Sequence, residues 1–458
     1  MAIEFAWRGI VEGFYGKPWT HDERVDMISF IAESGMNAYM YAPKDDPYHR
    51  QQWRAPYPAA RLEDLRALAD HASGLGINFI FAVSPGLSLH YSDRRELDAF
   101  MAKLSALYGA GVRSFALLYD DIPEHMQEAD RRAFGDFATA QVSFANSVYA
   151  RLKALPDEAS LIVCPTQYHG DPNTEYVRKL GEGLAAGIDL MWTGPAVCSR
   201  ELTLEHTKAV AEAFKRPVTF WDNYPVNDAA MAAELHIGPY TGRDPRLPEA
   251  SRGIFLNPMN QAEASKIPLA AAAAYLADPT SYNPTVAWEA AAGKLLGEHA
   301  VEAFRVFGDA MAVSPLSPGE PPALAAAIGE ATDRLHRGSL SEGAGILSSY
   351  MLRMKSAAEM IRTSSNRKFV DEAEPWLWEF AQWADVGLQV ARTLEVAASY
   401  LASLNPASGI SAFSLRAVSV ASNRQKLAKM MAKTMSFKTM ACGNTILEIG
   451  LEAVKRLR

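Results

Sequence analysis

Cysteine is scarce in this chain. Cys164, Cys198 and Cys442 are the only three, widely spaced and without a CxxC pair, which argues against both a disulfide framework and a zinc ribbon. The expectation is a reducing, cytoplasmic setting with free thiols. The ten histidines contain no HExxH and no close pair, so no metal and no cofactor is expected. Basic charge is not in excess: 45 Lys and Arg stand against 53 Asp and Glu, a net charge of -8, which speaks against a nucleic-acid partner. No segment reaches the ~18 uninterrupted apolar residues of a membrane span. Met1-Ala2-Ile3-Glu4-Phe5 leads directly into strand-like sequence, so neither a membrane nor a signal peptide is expected.

What is present is a well-mixed globular chain of 458 residues, 49% hydrophobic and 21% charged, long enough for more than one domain. Its first part carries eight short apolar runs, Ala6 to Val11, Asn37 to Tyr41, Ile77 to Val83, Ser114 to Tyr119, Leu161 to Cys164, Ile188 to Trp192, Val218 to Trp221 and Gly253 to Leu256. Helical patterns separate them. The first opens on a capping box, Thr20 with Glu23; the second shows Leu62, Leu65, Leu68 and Ala72 on one face; the fourth is read as one long helix from about Arg131 to Leu155. This alternation predicts an α/β fold, a TIM-type (β/α)8 barrel over residues 1–282. A doubly wound sheet is the fallback, but no GxGxxG follows the first run. From 283 to 458 only helical patterns remain, predicting an all-α helical bundle domain. In it Glu374 to Phe380 reads as bundle core, and Arg424, Lys426, Lys429, Lys433 and Lys438 as a solvated or partner-facing helix side.

A barrel places its chemistry just after the strands, and the polar residues cluster there. Glu12-Gly13-Phe14-Tyr15-Gly16, Pro43-Lys44-Asp45-Asp46, Asp120-Asp121, Thr166 to Gly170, Trp192 to Pro195, Trp221-Asp222-Asn223-Tyr224 and Asn257 to Asn260 follow successive runs. Such a mixture of aromatics, amides and carboxyls suits a sugar, whose hydroxyls need fixed hydrogen-bond partners and whose C–H faces lie on rings. Asp120 and Asp121 stand where the run Phe115 to Tyr119 meets Ile122-Pro123. Two like charges about 3.8 Å apart along the chain resist joint ionisation, so one carboxyl is expected to be raised and to retain its proton. A protonated acid beside an anion suits acid/base work; the alternatives are a turn cap or a Mg²⁺ site.

Together the segments RGIVEGFYG, YAPKDDPYHR, LLYDDIP, CPTQYHG, WTGP, WDNYPVND and LNPMN, between about Arg8 and Asn260, resemble glycoside hydrolase family 84, the β-N-acetylglucosaminidases that include bacterial O-GlcNAcase-like enzymes. The resemblance implies a retaining exo-enzyme whose nucleophile is the substrate's own acetamido oxygen, with an oxazoline intermediate, able to remove O-linked N-acetylglucosamine from Ser or Thr. Such substrate-assisted enzymes are exceptions to the rule of two flanking carboxyls. It implies that Asp120 orients the acetamido group and that Asp121 is acid, then base. Tyr168 would bind the acetamido region, with Cys164, Thr193 and Trp221 walling the N-acetyl pocket. Asn223 would contact the reacting sugar, and Gly13, through its carbonyl, Lys44, Asp228 and Asn257 would hold ring hydroxyls. Read singly, Gly13 is equally a turn residue, Lys44 a partner of Asp45 or Asp46, Asp228 a helix cap and Tyr168 core. The α/β and acetyltransferase-like domains that some relatives carry have no counterpart in these segments.

The expected partner is a GlcNAc-bearing glycoprotein or glycoside, with room for a homodimer through the helical domain. Alternative readings are an N-acetylglucosaminidase of chitin, peptidoglycan or hyaluronan fragments, a non-catalytic sugar-binding or scaffold protein, and, more distantly, a metal-dependent hydrolase.

Overall fold

The computed structural model describes residues 4–319, 321–403, 410–434, 436–442 and 446. Eight parallel strands, β1 (Trp7–Glu12), β2 (Ala38–Tyr41), β3 (Asn78–Val83), β4 (Ser114–Leu118), β5 (Ser160–Cys164), β6 (Ile188–Trp192), β7 (Val218–Asp222) and β8 (Ser251–Leu256), pair in chain order. The barrel closes between β8 and β1, with Trp7 opposite Gly253 and Ile10 opposite Leu256. The predicted (β/α)8 barrel and the helical region after it are both observed, but the helix expected between β7 and β8 is not: only two 3-10 turns, Ala229–Met231 and Leu247–Glu249, join them. The strands are almost wholly buried because a parallel barrel is covered outside by helices and filled inside by side chains. Val11, Met40, Ile80, Ala116, Leu118, Ile162, Met191 and Phe255 fill the interior, joined by Cys164 and Trp221.

The outer layer is α1 (His21–Glu33), α2 (Ala59–Gly74), α3 (Arg94–Gly109), α4 (Glu128–Phe134), α5 (Phe137–Lys153), α6 (Glu175–Gly183), α7 (Leu204–Phe214) and α8 (Ala262–Ala277). Helix α1 begins at the expected capping box, Thr20 accepting from the Glu23 N–H while the Glu23 carboxylate accepts from the Thr20 N–H. The single helix expected from Arg131 to Leu155 is two. Gly135 adopts φ 78°, a conformation glycine enters freely, and ends α4; Asp136 then caps α5 by accepting from the Thr139 N–H.

By its contacts the chain divides into two compact units, residues 1–229 with 240–287, and residues 230–239 with 288–458. Helix α9 (Pro284–Leu296) spans the division. The second unit contains α10 (Val301–Ala310), α11 (Pro322–His336), α12 (Leu340–Arg362), α13 (Arg367–Ser403) and α14 (Ile410–Thr434). Residues 230–239 belong to it although they precede β8, because their carbonyls satisfy its donors. Trp288 Nε1 donates to the Ile237 carbonyl at 2.6 Å and Trp376 Nε1 to that of Ala233 at 2.8 Å. Trp376, Leu377 and Phe380 are core as expected, whereas Trp378 is 44% exposed. Lys426, Lys429, Lys433 and Lys438 are exposed; the side chain of Arg424 lies outside the described residues. Among the described residues no helix is long and apolar enough to cross a membrane.

Candidate active site

The ends of the strands enclose a cavity of about 200 Å³ at the C-terminal face of the barrel. Its lining includes all eleven residues singled out from the sequence: Gly13, Lys44, Asp120, Asp121, Cys164, Tyr168, Thr193, Trp221, Asn223, Asp228 and Asn257. Tyr15, Val197, Cys198, Val226 and Ala229 complete it. Cys164 and Trp221 are also the top of the barrel core, so the close-packed interior is the floor of the cavity.

Both members of the aspartate pair reach this cavity. Successive residues of an extended chain point to opposite sides, and the pair escapes that alternation because Asp121 turns into the left-handed region, φ 52°, which Asp tolerates better than most residues. Their environments differ. Asp120 is 5% exposed; its Oδ2 accepts from the Lys44 ammonium, while its Oδ1 is buried without a hydrogen-bond partner. Asp121 is open to solvent and accepts from the Tyr15 hydroxyl at 2.6 Å and the Tyr168 hydroxyl at 2.7 Å.

The expectation of a raised carboxyl in the pair is not met at Asp121. Burial pushes it up, but the Tyr15 hydroxyl, the Lys44 charge, the Tyr168 hydroxyl and the Arg50 charge together hold it below its ordinary value. The carboxyl raised in this cavity is Asp228. Burial is the main cause there, opposed by the Tyr15 N–H it accepts and aided by the nearby Asp121 charge.

Lys44 pairs with neither Asp45 nor Asp46. Beyond its bond to Asp120 it lies 5.4 Å from the Trp221 ring centroid and 5.8 Å from that of Tyr15. Asp46 is occupied by the hydroxyls of Tyr41 and Tyr57, each at 2.7 Å. Gly13 is not a left-handed turn residue: it is glycine because a Cβ there would come within 2.3 Å of Trp221 Cζ2. Asn257 accepts from the Gly13 N–H at 3.3 Å and donates to Asn223 Oδ1 at 2.9 Å, an oxygen that also accepts from Trp221 Nε1 at 2.9 Å. The Asn223 amide donates in turn to the Val197 carbonyl at 2.7 Å. These two amides therefore tie the wall together as well as facing the cavity. Thr193 donates its hydroxyl to the Ala196 carbonyl at 2.7 Å. Asp228 precedes a 3-10 turn, Ala229–Met231, and accepts from the Tyr15 N–H at 2.7 Å.

Two acidic residues of the strand-end motifs are struts. Glu12 is fully buried, held by the Arg24 guanidinium at 2.7 and 2.8 Å. Asp222, also buried, accepts from Arg243 at 2.5 and 2.8 Å and from the Tyr240 hydroxyl at 2.6 Å. Among the described residues no group of three His, Cys, Asp or Glu side chains is arranged to hold a metal ion.

Tyr15, His49 and Arg50 stand within the motifs quoted above with no role assigned to them; Tyr15 and Arg50 touch Asp121, and His49 is buried. His49 Nδ1 lies 2.7 Å from the Ala82 carbonyl and its Nε2 has no hydrogen-bond partner. Burial, and then the Lys44 charge, push this imidazole down to about 4. Cys198 and Val197 come from the loop after β6, and only the path of that loop brings them to the cavity. Burial, aided by Asp228, pushes the Cys198 thiol up to about 11.

Residues 8–309 match the family described as beta-N-acetylglucosaminidase. The chain is 39% identical over 265 residues to the protein O-GlcNAcase of Mus musculus and 38% identical over 265 residues to that of Rattus norvegicus. Each match takes in 57% of this chain but only 28% of the relative, so the chain spans little more than a quarter of the curated relatives' length. A solved structure of a variant of the O-GlcNAc hydrolase of Thermobaculum terrenum superposes with a TM-score of 0.94 at 38% identity, covering 99% of this chain and 95% of that one.

Proposed function

From the premise that this chain belongs to the β-N-acetylglucosaminidase family of glycoside hydrolases, we propose that it is a retaining exo-β-N-acetylglucosaminidase that removes O-linked N-acetylglucosamine from Ser or Thr. The observation that carries the reading is the unpartnered, buried Oδ1 of Asp120 at the cavity, next to a second carboxyl on the neighbouring residue. A buried acceptor left open costs free energy unless something donates to it, and a substrate N–H is a fitting donor. Two adjacent carboxyls on one wall do not flank an anomeric carbon at the ~5 Å separation of a protein nucleophile and an acid. The nucleophile then comes from the substrate.

In the first step the acetamido oxygen bonds to the anomeric carbon as the bond to the leaving oxygen breaks. Asp121 gives its proton to that oxygen, and Asp120 accepts from the acetamido N–H and balances the positive charge on the oxazoline. In the second, Asp121 takes a proton from the water that bonds to the anomeric carbon, the oxazoline ring opens and the β configuration is restored. The free chain holds Asp121 low, so substrate binding has to bring a proton with it: a sugar engaging Tyr168 and displacing water weakens the interactions that favour the anion. Trp221, Cys164 and Thr193 wall the N-acetyl group; Asp228, Asn223, Asn257, Lys44 and the Gly13 carbonyl hold the ring. The cavity is small beside the ~300–1,000 Å³ of drug-sized sites, which supports cleavage of a single terminal sugar. The same proposal includes a cytoplasmic location, with free thiols, and a homodimer through the helical region, which sedimentation would test.

The test is turnover of an aryl N-acetyl-β-glucosaminide beside the matching β-glucoside. Hydrolysis of the first alone is expected. Equal hydrolysis of both would mean a protein nucleophile, for which Asp228 is the remaining carboxyl of the cavity, and binding without turnover would favour a sugar-binding role. Comparing a Ser-linked glycopeptide with chitobiose then separates the preferred substrate from chitin-type fragments.

A further inference from the structure

Arg50 is 6% exposed, yet among the described residues no carboxylate comes within ion-pair distance of it. A buried cation without a close counter-ion is costly, and the other two arginines buried to this extent among the described residues each have one, Arg24 in Glu12 and Arg243 in Asp222. The bonds Arg50 makes instead converge on Asp121. One guanidinium nitrogen donates to the Tyr15 hydroxyl and the other to the backbone carbonyl of Asp121, both at 3.0 Å. Its own backbone is fixed from behind. The next residue toward the N-terminus, His49, accepts from the Ser84 N–H at 2.9 Å through its carbonyl and meets Ala82 through its ring, so the segment is pinned to the end of β3.

We propose that Arg50 is a positioning residue for the acid/base carboxyl, bridging Tyr15 to the backbone of Asp121 and holding Asp121 in the left-handed turn that aims its side chain into the cavity. The inference rests on the acid/base assignment of Asp121 given above. A planar fork suits this task, because one rigid group fixes two oxygens on separate loops. The Tyr15 hydroxyl, itself receiving from Arg50, passes the constraint to Asp121 Oδ2. Lysine has no fork, so it cannot hold both oxygens in the same geometry.

The experiment compares Arg50→Ala and Arg50→Lys with wild type on aryl N-acetyl-β-glucosaminides of graded leaving group. For phenyl and other poor leaving groups Arg50→Ala is expected to lose about 100-fold in kcat/KM, the scale of an ~1 Å misplacement. For 2,4-dinitrophenyl, which departs without a proton, the loss should be small. Guanidinium at tens of millimolar should restore part of the activity of Arg50→Ala on poor leaving groups, and Arg50→Lys should fall between. A loss that is equal across leaving groups and unmoved by guanidinium would overturn the proposal. A crystal structure of Arg50→Ala, or of Arg50→Lys if the alanine variant does not fold, decides independently of turnover: Asp121 is expected to leave the left-handed region, and an unmoved Asp121 refutes the inference. An inactive wild type would refute the proposed function alone, since the structural arm still reports on Arg50.

Discussion

Replacing Tyr168 by Phe removes one of the two hydroxyls that stabilise the Asp121 anion and leaves the ring in place. The bond lost is the 2.7 Å donation to Asp121 Oδ1, and hydrogen bonds to charged groups are worth about 1.5–3 kcal/mol. Asp121 is open to solvent, so water takes up part of the vacated interaction and the lower end of that range applies. At about 1.36 kcal/mol per pH unit, the carboxyl should rise by roughly one pH unit. The sign follows from its role. An acid must be protonated, so activity on a poor leaving group falls as pH rises through the Asp121 titration, and raising that titration moves the alkaline limb of kcat/KM upward. Because the adjacent carboxyls interact, the limb is a property of the pair, and its displacement is the quantity to measure. Weaker acetamido binding in the variant lowers the whole profile without moving the limb. The assay is kcat/KM against pH for wild type and Tyr168→Phe, on a phenyl and on a 2,4-dinitrophenyl N-acetyl-β-glucosaminide. The limb should shift up for the first and be missing for the second. A limb that stays in place, shifts down, or is the same for both substrates would refute Asp121 as the acid.

Asp120→Asn should reduce turnover for every leaving group, whereas Asp121→Asn should lose about 10²–10⁴-fold on poor leaving groups and spare activated ones; steady-state kinetics on a graded series would read this, and equal losses would contradict the assignment. Gly13→Ala drives a Cβ to 2.3 Å from Trp221 Cζ2. With that ring held by Asn223, the variant should lose about 1–3 kcal/mol of stability together with most activity, and wild-type urea midpoint and kinetics would show that the wall is more yielding than its contacts imply. Arg243→Met leaves the Asp222 carboxylate buried without its cation and should cost about 3–5 kcal/mol; a denaturation curve that is unchanged would mean that Tyr240 alone suffices. Burial and the Lys44 charge push His49 down to about 4 in the folded chain from its ordinary 6.5. The unfolded chain therefore gains the proton first, and the stability of the neutral buried ring, complete above about pH 6.5, is lost as pH falls toward 4. At about 1.36 kcal/mol per pH unit the loss totals roughly 3 kcal/mol. His49→Gln should flatten that part of the urea-midpoint profile, and profiles that stay parallel would refute it.

The barrel was legible because its signal is repetitive: eight apolar runs, all but Val218 to Trp221 followed by a polar loop and an α-helix, need no long-range information to be recognised. The site was legible for a related reason. Strand C-termini share one rim in this architecture, so motifs hundreds of residues apart could be assigned to one place, and Gly13, Lys44, Asp120 and Asn257 do line one cavity. Direction was not legible. At the end of β7, Trp221 and Asn223 face the cavity while Asp222 between them turns to Arg243, a consequence of the two-residue period of extended chain. At the end of β4 the period fails, because Asp121 takes a positive φ. Local sequence carries no clear sign of either outcome.

The sequence by itself determined the repeating unit, the order of the strands and the residue types delivered to the rim, since these follow from hydrophobic period and chain connectivity. Only the tertiary structure decided which carboxyls are struts and which are open to substrate, that Lys44 belongs to Asp120, that Asp121 is held low where a raised acid was expected, and that Arg50 reaches it. The physical reason is that charge and hydrogen-bond energies depend on distance and burial. Those quantities exist only once loops from distant parts of the chain have been brought within a few ångströms of one another.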